Sequence, residues 1–311
     1  MSKMKSVRIH EFGGPEVLSF DDIERPLAGD DDVVIEVHAA SVNPVDFKIR
    51  NGQYHEVDPS MLPYGLGRDV SGTVVSAGPA AEALNVGDEV FAMLGLERGG
   101  YSEYALVKAS ELAPKPRSVG HTQAAALPLA GLTAWQGLFD HGDLRPTQRV
   151  LIHGASGGVG HFAVQFAKDV GATVFATASA EDQTFVKERG AANVLDYRRQ
   201  KFEQELGDID LVFDLVGGKT QMRSFDVLRE GGVLVSTLDE PSSEAAECKG
   251  VRALRYTVKP DGGQLARIGR MVDAGAVRVH VAATHSLDDA ANAQRQLEST
   301  HIKGKLVLQV N

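Results

Sequence analysis

Apolar positions fall into two textures along this chain. As far as Lys108, short apolar runs at 33–37, 70–75 and 89–92 are separated by Gly, Pro and Asp clusters, which predicts a strand-rich domain. After Pro116 the periodicity alternates: strand at 149–153, helix at 159–169, strand at 173–177, helix at 182–189. Further strands are expected at 193–195, 210–214, 232–236 and 251–258, which together complete a six-stranded parallel sheet with crossover helices. Beyond Asp261 a helix at 264–273 leads into 277–282, an Ala-rich helix at 287–297 and a closing strand at 305–310, a tail expected to rejoin the first domain. The reading is α/β: a strand-rich domain over 1–122, a Rossmann-type domain over 123–261, and the returning segment 262–311.

Composition narrows the functional classes. A chain of 311 residues, 43% hydrophobic, is long enough for two cored domains. A formal charge of -10 argues against an electrostatic hold on nucleic acid or on an anionic membrane. The single cysteine, Cys248, excludes an intramolecular disulfide and fits a reducing compartment. Residues 1–12 are charged and lack the apolar core of a secretory signal, so a cytosolic location is expected. The uncharged stretch 120–139 is interrupted by Gln123, Pro128, Gly131 and Gln136 and is read as a buried helix and turn, not a membrane span.

The segment His153-Gly154-Ala155-Ser156-Gly157-Gly158-Val159-Gly160 follows an apolar strand and opens a helix. Glycines there permit a tight turn and let backbone N–H groups approach a pyrophosphate at the helix N-terminus; only Ala155 departs from G-x-G-x-x-G. Ala155, Ser156, Gly157, Gly158, Val159 and Gly160 are therefore candidate dinucleotide-binding residues. An NAD site carries an acid at the end of the second strand to bond the ribose. Thr177 and Ser179 stand there instead, which favours NADPH; an ordinary strand end with Ser179 as helix cap is the alternative.

With Ser41-Val42-Asn43-Pro44-Val45-Asp46, Gly67-Arg68-Asp69-Val70-Ser71-Gly72 and the Ile302-Lys303-Gly304-Lys305 ending, the chain resembles the medium-chain dehydrogenase/reductase superfamily, quinone oxidoreductase type. That resemblance implies a GroES-like catalytic domain beside the nucleotide domain, and a homodimer joined through the edge strand 251–258. It also implies that Tyr197 lies near the adenosine 2′-phosphate with Ser179 as neighbour, and that Thr133, Gly217 and Gly218 contact the nicotinamide half. The lysine that some members place after the second strand is missing; Ala180, Glu181 and Asp182 stand there. In zinc-dependent relatives Asn43, Arg68 and Leu129 would be Cys, His and Cys, so no metal is expected.

Without a metal, such a site must orient an electron-poor acceptor and stabilise charge on its oxygen. A quinone or α,β-unsaturated carbonyl suits this. Asn43 is expected to donate its amide to that oxygen and Tyr54 to supply or relay a proton, unless Asn43 only caps the loop before Pro44 and Tyr54 only fills space. Arg68 and Asp69 are expected to form a structural ion pair. An enoyl-thioester reductase on the same scaffold and a non-catalytic NADPH-binding protein are the rival readings.

Overall fold

The computed structural model describes residues 2–81 and 84–310. The chain forms two compact units, one of Met1–Leu129, Pro260–Gly275 and Val279–Asn311, the other of Ala130–Lys259 and Ala276–Arg278.

In the second unit six parallel strands run in the order Asn193–Asp196, Thr173–Ala178, Arg149–Ile152, Ile209–Asp214, Leu228–Ser236, Arg252–Arg255. This is the doubly wound order 3-2-1-4-5-6, in which the loops after the first and fourth strands flank the switch point where dinucleotides bind. Val150, Leu151 and Ile152 are fully buried because helices cover both faces of the sheet, so the central strand reads as an unbroken apolar run rather than an alternating one. The edge strand is shorter than the expected 251–258. Past it, the backbone of Lys259 bonds the Gln136 side chain, N–H to Oε1 at 3.0 Å and C=O from Nε2 at 2.8 Å, in place of a ladder.

The first unit carries a three-stranded antiparallel sheet, with Lys3–Ile9 between Leu18–Glu24 and Tyr64–Gly65. Its larger sheet is organised by the long strand Asp32–Val42, which pairs antiparallel with Asp69–Ala77, Tyr104–Lys108 and the closing strand Lys305–Gln309. The register sets Ser41 opposite Asp69 and Val42 opposite Leu306. A common core of Val33, Ile35, Val37, Val70, Val90, Leu306 and Leu308 lies against these strands. Arg50, almost wholly buried, ties the early helix Pro44–Arg50 to the late helix Ala290–Ser299 through Gln294 at 2.7 Å and Glu298 at 2.9 Å.

Three expectations shift. The 120–139 stretch forms two helices, His121–Ala125 and Pro128–Trp135, followed by the π-helical turn Gln136–His141. The first helix packs its alanines 125 and 126 with Ala39 and Val307, so it belongs to the first unit, and the boundary falls at Leu129 rather than at 122. The segment expected at 277–282 becomes the strand Val281–Ser286, because Arg278 N–H and C=O are already bonded by the Gln165 amide at 2.7 and 3.1 Å. No helix of the described residues is long and apolar enough to cross a membrane.

Candidate functional site

The glycine loop joins the strand Arg149–Ile152 to the helix Gly160–Asp169. A side chain at Gly160 would place Cβ 2.2 Å from the Gly154 carbonyl oxygen, so glycine is demanded there by the close pass of helix and turn. Gly157 differs. A Cβ there would meet only the Gly154 oxygen, at 3.4 Å, and would otherwise project into open space. The fold itself does not require glycine at 157, whereas a ligand approaching the backbone would. Among the described residues the amides of Gly158 and Val159 find no protein acceptor. Open space over Gly157, free amides and the start of a ten-residue helix fit the pyrophosphate of a dinucleotide. Ala155 and Ser156 are buried supports of this turn, with Ala155 N–H donating to the Thr177 carbonyl at 3.3 Å.

Around the loop, two buried polar groups fix the neighbouring strand ends. Asp214, at the end of the fourth strand, accepts from the amides of Val216 and Gly217 at 3.0 and 2.9 Å, from Gln221 at 3.2 Å and from Ser236 at 3.0 Å. It thereby shapes the turn bearing Gly217 and Gly218, and the Gly218 amide donates to Asp239 at 3.0 Å. Thr133 is buried on Pro128–Trp135, and its carbonyl accepts the Tyr256 hydroxyl.

His153 bridges Thr177 (2.9 Å) and Ser224 (3.0 Å). Ser224 spends its proton on the Thr220 carbonyl at 2.8 Å, so His153 donates through Nε2 and accepts the Thr177 hydroxyl at Nδ1. Burial lowers the His153 pKa to about 4, which keeps the ring neutral. Thr177 thus turns its hydroxyl inward as a support for His153, where its place at the strand end suggests a nucleotide-facing group. Ser179 and Tyr197 do become neighbours, since the Tyr197 amide donates to the Ala178 carbonyl at 3.2 Å.

In the first unit the strand Asp32–Val42 delivers Asn43 to the N-cap of Pro44–Arg50. The Asn43 amide is engaged on both sides: Nδ2 donates to Asp69 at 2.8 Å and to the Ser41 carbonyl at 3.4 Å, and Oδ1 accepts from Lys305 Nζ. The side chain expected to meet substrate oxygen is 1% exposed and serves a buried network instead. Asp69 is the hub. It accepts from the Ser41 hydroxyl at 2.6 Å and the Leu129 amide at 2.7 Å, and lies 3.8 Å from Lys305 Nζ. Lys305 also donates to the Val42 carbonyl at 3.1 Å, and its burial lowers its pKa.

The expected Arg68–Asp69 pair does not form. Arg68 sits at the bend that precedes the strand Asp69–Ala77, where its Nε donates to the Leu94 carbonyl at 2.7 Å, and the charge beside Asp69 is Lys305. Asp46 bonds the Asn43 amide at 2.7 Å and the Tyr101 hydroxyl at 2.8 Å through one oxygen, while the other has no partner. Burial raises Asp46 to about 6, against those two hydrogen bonds. Tyr54 is half-buried against the same core. Of this network Asn43 and Asp69 were singled out from sequence, Asp69 with Arg68 as its expected partner; the signal for Lys305 was a lysine heading the apolar run 306–308. Among the described residues no three His, Cys, Asp or Glu gather to hold a metal ion.

Comparison with known proteins matches residues 29–117 to the alcohol dehydrogenase GroES-like domain and residues 189–308 to the zinc-binding dehydrogenase family. The human mitochondrial NAD(P)H oxidoreductase RTN4IP1 is 33% identical over 97% of this chain and 88% of its own length. The solved quinone oxidoreductase of Coxiella burnetii superimposes with a TM-score of 0.92 at 35% identity, covering 100% of both chains. This chain belongs to the medium-chain dehydrogenase/reductase family, quinone oxidoreductase type. The Escherichia coli quinone oxidoreductase, solved with NADPH, also superimposes at 0.89 with 29% identity over 98% of this chain and 100% of that one. Membership makes this chain an NAD(P)H-dependent oxidoreductase, and the six-stranded sheet above is its Rossmann-type sheet.

Proposed function

We propose that the chain is an NADPH-dependent, zinc-independent reductase acting on a quinone or an α,β-unsaturated carbonyl. The observation that carries the metal-free reading is the Asn43–Asp69–Lys305 network. At the position where zinc relatives carry a thiolate, this chain places a neutral amide bonded to a buried ammonium, and a cation there would face the charge of Lys305. NADPH is favoured because Thr177 and Ser179, rather than an acid, stand at the end of Thr173–Ala178 itself; Thr177 turns inward to His153, and the exposed Tyr197 lies beside this strand end.

When bound, the reduced nicotinamide supplies the hydride. Gly157, Gly158 and Val159 would hold the pyrophosphate, and Asp214 fixes the turn at Gly217 and Gly218. Asn43 acts as a positioning residue that keeps Asp69 and Lys305 paired. Tyr54 is the candidate proton source for the reduced acceptor. The same reading includes a cytosolic location and a homodimer formed through the exposed edge strand Arg252–Arg255.

Oxidation of NADPH, followed by the absorbance of the reduced nicotinamide, against quinones, enones and enoyl thioesters, with metal analysis of the same sample, tests this. Turnover of quinones or enones by zinc-free protein is expected. Preference for a thioester, tight NADPH binding without turnover, or activity that tracks a bound zinc would each overturn it.

A further inference from the structure

At the ends of the strands Thr173–Ala178 and Asn193–Asp196 lies a polar cluster, exposed at Glu181, Tyr197 and Arg198 and buried at Ser179 and Asp196, that neither the glycine loop nor the His153 support uses. The register places Ala178 beside Asp196. Asp196 then builds the turn that follows: its Oδ1 accepts the Arg198 amide at 3.0 Å, its carbonyl accepts the Arg199 and Gln200 amides at 3.1 and 2.8 Å, and its own amide donates to Gln200 Oε1 at 2.9 Å. This holds Tyr197 and Arg198 next to Ser179, with the Arg198 guanidinium 5.4 Å from the Tyr197 ring centre.

The Glu181 carboxylate sits in the middle of the group. Its own backbone N–H, then the Ser179 hydroxyl, then the Arg198 charge favour its ionised form and hold its pKa below the usual range. Its Oε2 is 3.7 Å from Arg198 Nη1. Glu181 therefore makes, with a hydroxyl and a guanidinium, the kind of contacts that a phosphate monoester would make in the same place. The ion pair is open to water, its side chains 61% and 70% exposed, so little free energy holds it closed. A phosphate monoester carries nearly twice the charge and three acceptor oxygens, and it takes a guanidinium by two parallel hydrogen bonds where Glu181 makes one loose contact.

We propose that Arg198 is the residue by which this chain selects a 2′-phosphorylated nucleotide, and that Glu181 is an internal anion which the 2′-phosphate displaces from Arg198 and Ser179. The inference rests on the NADPH reading above and names its determinant. Arg198 takes the place of the lysine absent after the second strand, and Glu181 tempers nucleotide affinity by occupying the cradle. Two effects act in one direction, since Glu181 both competes for Arg198 and repels the incoming phosphate.

Calorimetric titration of wild type, Glu181→Gln and Arg198→Ala with NADP+, NAD+, 2′,5′-ADP and 5′-ADP tests this without relying on turnover. Both substituted side chains are mainly exposed, and thermal melts confirm folding. Glu181→Gln is expected to tighten NADP+ and 2′,5′-ADP by a few-fold, up to about tenfold, and Arg198→Ala to weaken both by about tenfold, with NAD+ and 5′-ADP nearly unchanged. Added salt should shrink both effects. A wild-type preference for NADP+ that survives in Arg198→Ala overturns the assignment of Arg198 while leaving the NADPH reading intact. Unchanged NADP+ affinity in Glu181→Gln overturns the displacement. Equal wild-type affinity for NADP+ and NAD+ overturns the NADPH reading and this inference together.

Discussion

The buried carboxyl of Asp46 gives the sharpest quantitative expectation. It is packed among Asn43, Tyr101, Asp69 and Lys305, and its pKa rises from 3.8 to about 6, chiefly because burial penalises the charged form and Asp69 adds to this, against Tyr101, the Asn43 amide and Lys305. Below the unfolded value both states hold the proton, and Asp46 adds no pH dependence. Between about pH 4 and about pH 6 the unfolded chain loses the proton first, so the folded state binds more protons and stability falls as pH rises. The gap from 3.8 to about 6, at about 1.4 kcal/mol per pH unit, amounts to about 3 kcal/mol lost by neutral pH. Asp46→Asn removes the titration. Its amide oxygen can still accept from Asn43 N–H and Tyr101 O–H, and its nitrogen takes the place of the oxygen that has no partner. The stability of Asp46→Asn relative to wild type should therefore climb by about 3 kcal/mol from about pH 4 to about pH 7 and then level off. Urea denaturation followed by circular dichroism at a series of pH values measures it; the single tryptophan, Trp135, lies in the second unit and does not report on this site. A stability difference that does not move with pH would refute the reasoning.

Other substitutions separate structure from binding. Gly160→Ala should unsettle the apo fold, because its Cβ would lie 2.2 Å from a backbone oxygen; Gly157→Ala should leave the apo melting temperature within about a degree or two while weakening dinucleotide binding at least about tenfold. Equal effects in the two variants would remove Gly157 from the ligand site. Lys305→Met leaves the Asp69 charge buried without its cation and is expected to cost about 3–5 kcal/mol in denaturation, with a near-neutral result showing that Asp69 is satisfied by its other donors. Leu254→Pro, on the edge strand Arg252–Arg255, should shift sedimentation toward monomer; an unchanged dimer would place the interface elsewhere.

The sequence by itself determined the second unit, because its information is local. Each strand, turn and helix there is a short periodic run, and the glycine loop follows its strand directly, so both the six-stranded parallel sheet and the residues 155–160 could be read without any long-range contact. The same locality identified Asn43 and Ser179 as positions of interest. What their side chains do was decided by the tertiary structure. Asn43 finds its partner in Lys305 at the far end of the chain, which the pairing of Lys305–Gln309 with Asp32–Val42 brings alongside. Thr177 is withdrawn to His153, which lies just past the end of the adjacent strand Arg149–Ile152 and whose ring needs its hydroxyl once Ser224 has taken the other nitrogen. Asp69 answers to Lys305 and not to Arg68, because Arg68 at the bend before the strand turns to the Leu94 carbonyl while the closing strand Lys305–Gln309 brings Lys305 alongside. Buried polar groups must be satisfied wherever the fold brings a partner, and that partner is set by sheet register rather than by distance along the chain.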